Sequence, residues 1–154
     1  IVCLQRYYTR HSENLHMEAT LITVAGTVHA PADKVWDYWT SPAHIAQWNS
    51  PSPEWYTSRA VNDLQPGGTF SYRMEARDGS LCFDFEGTFN IVEKNKRVAY
   101  TISDGRKVNT LFIPTPEGVY VETTFEAEST HTIEQQQFGW QAIQDSFKQY
   151  VESH

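Results

Sequence analysis

Arg59 is the side chain in this sequence whose chemistry would be most informative if it lay inside the protein. A buried guanidinium requires a carboxylate or another anion beside it. An inward Arg59 would therefore orient the polar end of a bound molecule. The alternative is a side chain that runs its stem along the sheet and keeps its head in water. Gln136, one helical turn before Trp140, and Tyr72 are further polar groups able to orient a ligand. Thr110 and Thr123 could offer hydroxyls or simply bond each other. His29, His44 and His131 are far apart and lack metal-ligand spacing, and His131 is placed near the start of the last helix. Asp63, Asp78 and Asp104 fit turns better than catalysis. No Gly-x-Ser-x-Gly elbow is present, and Cys82 falls on the outward parity of its strand. General acid–base and covalent catalysis each need a positioned pair, and the sequence displays none. These groups suit binding.

The elements that must position them follow from periodicity. LITVAGTV (21–28) alternates and reads as a strand. Pro31 suits a first-turn position, and Val35, Trp36 and Trp39 share one helical face. Ser41-Pro42 ends that helix and starts another, with Ser41 as N-cap and Ile45 and Trp48 on one side. Trp36 is expected in the core, Trp39 in the core or a cavity floor, and Trp48 at an entrance. Hairpins follow. A turn at Asp78-Gly79 sets Met74 opposite Phe83 and Tyr72 opposite Phe85, with Phe70 on the same face. A four-residue loop at 93–96 sets Ile91 opposite Val98 and Phe89 opposite Tyr100. A three-residue loop at Asp104-Gly105-Arg106 keeps Val108 and Phe112 with Tyr100 and Ile102. A four-residue loop at 115–118 aligns Phe112 with Val121 and Val108 with Phe125. A four-residue loop at Gln65–Gly68 would turn Arg59 inward, opposite Met74. Gly87 suggests a bulge or bend in its strand. The cover for this one-sided sheet is a helix over about 133–152, with Trp140, Ile143, Phe147 and Val151 in a stripe. Gly139 would let that helix approach the sheet closely.

Composition bounds the rest. The 154 residues suffice for one domain with a real core. The net charge of −7 argues against binding the phosphate backbone of nucleic acids. No apolar run reaches bilayer length, so no membrane association is expected. Two cysteines are too few for a disulfide framework and point to a reduced, cytoplasmic compartment. Residues 1–16 read as a poorly ordered or foreign extension and 17–154 as a single domain. No cofactor and no metal are expected, and a homodimer stays open.

A curved seven-stranded antiparallel sheet gripping a long C-terminal helix, with two short helices after the first strand, is an α+β helix-grip fold. The segments APADKVWDYWTSPAHIAQW (30–48), DLQPGGTFSYRM (63–74), FEGTF (85–89) and FGWQAIQDSFKQYV (138–151) resemble a known family in order and spacing. It is the family of homologues of the activator of heat-shock-protein-90 ATPase, C-terminal-domain-like, within the START-like, birch-pollen-allergen-like superfamily. The resemblance implies an apolar cavity between sheet and helix, where sequence alone leaves a filled core open. The expected function is noncatalytic binding of a hydrophobic small molecule. Its contacts would come from Trp39, Trp48, Arg59, Phe70, Tyr72, Met74, Phe83, Phe85, Tyr100, Phe112, Gln136 and Trp140. The alternatives are a co-chaperone-like protein-interaction module, and a helix-grip enzyme such as a cyclase or hydrolase.

Overall fold

The computed structural model describes residues 19–154, so the expectation for residues 1–16 lies outside the described residues. The elements run β1 (Leu21–Val28), α1 (Ala32–Thr40), α2 (Pro42–Trp48), β2 (Trp55–Asn62), β3 (Thr69–Ala76), β4 (Cys82–Glu93), β5 (Arg97–Ile102), β6 (Lys107–Thr115), β7 (Gly118–Glu126) and α3 (Ile133–Ser153). All neighbouring strands pair antiparallel in the order β1-β7-β6-β5-β4-β3-β2. The sheet curls as a half-barrel, and α3 packs across β1 on its concave face. The expected α+β architecture is the one observed.

Most registers follow the hydrophobic pattern, because a one-residue slip would turn the aromatic face to water. Met74 faces Phe83 and Tyr72 faces Phe85. Tyr100 faces Phe89 on one side and Val108 on the other. Phe112 faces Val121 and Val108 faces Phe125. The β5–β6 connection is odd in length as expected, although its inner residues are Ser103-Asp104-Gly105, with the Ile102 N–H donating to the Arg106 carbonyl.

Two bulges interrupt the remainder. One falls between Phe89 and Ile91, so Val98 faces Val92 and Ile91 faces Ala99. The cause is a tighter β4–β5 turn, in which Asn95 takes a positive φ of 64° and Glu93 pairs Arg97. The other bulge falls between Thr57 and Arg59, on the far side of Arg59 from the β2–β3 connection. Asn62 pairs Phe70 and Arg59 pairs Arg73, which turns Arg59 to the exposed outer face. The β2–β3 connection is longer than four residues. It is pinned elsewhere, by the Gly67 N–H donating to the Phe89 carbonyl and the Phe89 N–H donating to the Gly68 carbonyl.

Gly87 is not itself the bulge. A Cβ there would stand 2.2 Å from the Thr101 carbonyl oxygen and 3.0 Å from the Phe70 ring, so glycine is required by close approach. Gly139 has the opposite character: nothing lies within 4 Å of an added Cβ, and α3 does not press on the sheet there. Pro31 stands at the N-cap of α1. Ser41, the N-cap residue of α2, makes no capping bond through its side chain and instead donates to Asp37 Oδ1 at 2.8 Å.

The core is solid at one end. Phe147 and Val151 of α3 are fully buried among Val28, Val35, Trp36, Phe112 and Val121. Nearer the start of α3, Trp140 and Ile143 are only half-buried. The stripe predicted as one continuous contact therefore splits into a packed half and an open half.

Candidate functional site

The open half of α3 faces β3, β4 and β5 across a pocket of about 630 Å3. Trp39 and Trp48, from the two helices meeting at Ser41-Pro42, form its inner end. Their rings stack at 5.1 Å, and each meets Phe147 edge-on. Proline at residue 42 forces the turn that brings the rings together. Trp48 is 5 % exposed and its indole donates to the Tyr38 carbonyl at 2.8 Å. It is an inner wall, not the entrance residue that its place before a proline-rich loop suggested.

Phe70, Tyr72, Met74, Phe83, Phe85 and Tyr100 line the sheet side, as alternation along β3, β4 and β5 requires. The Tyr100 ring meets Phe70 edge-on at 4.9 Å. Gln136, Gly139 and Trp140 line the helix side, with Trp140 stacked on Phe125 at 3.9 Å. Two residues expected with these stand elsewhere. Arg59 is outside, for the register reason given above. Phe112 is core, enclosed by Trp36 and Trp39.

The polar groups fall into spent and unspent sets. Gln136 is spent: its Nε2 donates to the Glu128 and His131 carbonyls, and its Oε1 accepts the Glu128 N–H. Thr110 and Thr123 bond each other at 2.9 Å. Glu128, at the rim, accepts from the amides of Thr130 and His131 and faces the His131 ring at 2.9 Å. Burial works to raise its carboxyl, but these donors together hold it below the usual carboxylate range. Its work is to fix the loop that leads into α3. That loop continues into a capping box, Thr132 accepting from the Gln135 N–H while the Gln135 side chain accepts from the Thr132 N–H.

Tyr72 and Tyr100 are the unspent pair. Burial pushes the Tyr72 hydroxyl up to about 12 against the opposing pull of Asn62. Burial and the neighbouring Tyr72 push Tyr100 well above its ordinary value, with Arg106 opposing. Both phenols stay protonated at neutral pH and can donate.

Among the lining residues that sequence reasoning missed are Asn62, Gln144 and Arg106. Asn62 faces inward because the β2–β3 connection, longer than four residues, sets it opposite Phe70, and its Nδ2 donates to the Thr40 carbonyl and to the Tyr72 hydroxyl. Gln144 is 4 % exposed and did carry a signal, since it interrupts the apolar stripe four residues after Trp140. Arg106 is 8 % exposed and lies in a loop, where no periodicity could mark it. Among the described residues no cluster of His, Cys, Asp and Glu is arranged to hold a metal ion.

A sequence model described as Activator of Hsp90 ATPase homolog 1-like protein matches residues 29–152. The solution structure of an AHSA1-like protein from Aeromonas hydrophila is 43 % identical, with a TM-score of 0.82 over 87 % of this chain and 93 % of that one. The solution structure of Chr148 from Cytophaga hutchinsonii is 46 % identical, with a TM-score of 0.73 over 88 % of this chain and 92 % of that one. At 21 % identity, protein NE0264 from Nitrosomonas europaea shares the fold with a TM-score of 0.73, over 86 % of this chain and 94 % of that one. No protein of curated function matches the chain.

Proposed function

Starting from the family of Activator of Hsp90 ATPase homolog 1-like proteins, to which this chain belongs, we propose that the protein binds a hydrophobic small molecule in the pocket beneath α3. The supporting observation is the division of one aromatic face into a packed end and an open end of about 630 Å3. Pockets of this size and lining are typical of small-molecule sites. Covering apolar surface there contributes about 25 cal/mol per Å2 before the costs of binding.

Gly139 provides the test. It lines the pocket, and an added side chain meets no protein atom close by. Replacing a helix-interior glycine favours the helix by up to about 1 kcal/mol. Gly139→Leu is therefore expected to hold or raise the melting temperature while filling part of the opening. Native mass spectrometry of protein purified from its own host is expected to show a retained small molecule on the wild type and none on G139L. Equal retention by both would place the ligand elsewhere, and no retained mass on the wild type would count against the reading.

A protein-interaction module is the second reading. Phe138, 78 % exposed on the outer side of α3, favours it. A partner lost on Phe138→Ala, with small-molecule retention intact, would separate the two.

A further inference from the structure

We infer that the pocket selects an uncharged ligand bearing a hydroxyl, received by the amide oxygen of Gln144 and the phenol of Tyr100. This rests on the pocket being the binding site and adds the chemical class of what it takes.

Gln144 carries the first half of the argument. Its Nε2 donates to the Val121 carbonyl at 2.7 Å, and only the nitrogen of the amide can do so. The orientation of the amide is thereby fixed, and Oε1 is the remaining group. No group among the described residues hydrogen-bonds that oxygen, and it is not one of the polar atoms sealed among protein groups: it opens on the pocket that the residue lines. An acceptor that faces a mostly apolar pocket is one of the few polar groups there able to orient a ligand through a donor. The Tyr100 hydroxyl also lines the pocket without a partner among the described residues. Tyr72 adds a donor, because its oxygen already accepts from Asn62 Nδ2 at 3.2 Å and its own proton is unspent. A hydroxyl is a small neutral group able both to donate to Gln144 and to accept from a phenol.

The charges decide against an acid. Arg106 is the buried cation at the pocket, and its Nε donates to Asp104 Oδ2 at 2.8 Å while Nη1 donates to the Glu126 carbonyl at 3.3 Å. Arg73 at the rim is shared between Glu75 and Asp84, and the His131 ring faces Glu128. A ligand carboxylate would meet cations already neutralised, and would pass Glu86 and Glu128 on the lining. An ammonium meets Glu86 only where that residue stands exposed to water, and inside it gains no free carboxylate, since the buried Asp104 is held by Arg106. Either charge would then lose its hydration without compensation.

Four probes with one aromatic body separate these chemistries: 1-pyrenemethanol, 1-methylpyrene, 1-pyrenecarboxylate and 1-pyrenemethylamine, titrated at pH 7 by fluorescence anisotropy. The alcohol is expected to bind about 3- to 10-fold more tightly than methylpyrene, the span of one net hydrogen bond. Both charged probes are expected to bind at least about 10-fold more weakly than the alcohol. Tyr100→Phe keeps the ring and removes the hydroxyl; it should shrink the alcohol-to-methylpyrene ratio and leave methylpyrene unchanged. Gln144→Met should shrink the same ratio, and reading a ratio within one variant removes any general loss of folded protein. Equal binding of alcohol and methylpyrene to the wild type, or a charged probe binding as well as the alcohol, overturns this inference and leaves the pocket as a site. Failure of all four to bind overturns the pocket reading, and this inference with it.

Discussion

At the scale of single residues, the pocket sets itself apart by how it treats protons. Tyr72 holds its proton to about 12 because burial disfavours the phenolate. In the unfolded chain the same group ionises near pH 10. The contribution to stability is thus complete below pH 10 and falls as pH rises through 12, because over that window the unfolded state has released a proton that the folded state retains. Tyr72→Phe should flatten the loss of stability between pH 10 and 12 by on the order of 2 kcal/mol, measured by urea unfolding of the two proteins in parallel. A slope unchanged by the substitution would mean that Tyr72 is solvated. Arg59 shows how fragile an orientation read from sequence is at this scale. Its outward face depends on the β2–β3 connection being longer than four residues, a length that the alternation along β2 does not fix.

At the scale of elements, the curl of the sheet depends on close approaches that particular residues permit. Strands β3, β4 and β5 meet at Gly87, which pairs with both Phe70 and Ile102. The Phe70 ring lies across the bare backbone there. Gly87→Ala would drive a Cβ to 2.2 Å from the Thr101 carbonyl oxygen, a rigid backbone atom. The expected cost is about 2 kcal/mol or more, since neither the ring nor the ladder can give way without repacking. Thermal unfolding reads it directly. A loss below about 0.5 kcal/mol, the range of an ordinary surface substitution, would show that the approach is not required. Gly139 in α3 lies in open space and should behave in the reverse sense.

At the scale of the molecule, stability is distributed unevenly along one concave face. The end built on β1, β6, β7 and the last turns of α3 is closed by Val121, Phe147 and Val151 at 0 % exposure. The β3–β4 hairpin has no such cover, and Phe83 and Phe85 remain half-exposed over the pocket. Local opening follows the density of buried contacts. Amide hydrogen exchange is therefore expected to be slowest in β1, β6 and β7 and faster by about tenfold or more in the β3–β4 hairpin. Saturation with 1-pyrenemethanol should slow exchange in the hairpin and in the first turns of α3, and leave β1 as it was. Uniform protection, with no change on adding the probe, would mean that the aromatic face is packed along its whole length.

Alternation along the strands and the stripe on α3 are local consequences of side-chain direction, and they determined the succession of hairpins from β2 to β7, most registers, both short helices and the aromatic face, while the place of β1 beside β7 came from the structure. The matched segments were enough for the family. Local pattern could not reveal the two bulges, because a bulge is one unpaired residue whose position depends on turns and strands distant in sequence. Arg59 and Asn62 were placed by the length of the β2–β3 connection, and Ile91 by the tight β4–β5 turn. Sequence likewise could not tell a filled face from a hollow one. Aromatic residues on one face measure how much apolar surface must be covered, but the space left over depends on where α3 crosses the sheet. That crossing is fixed by Phe147 and Val151 packing against the helix corner and β7, behind the inner end of the pocket.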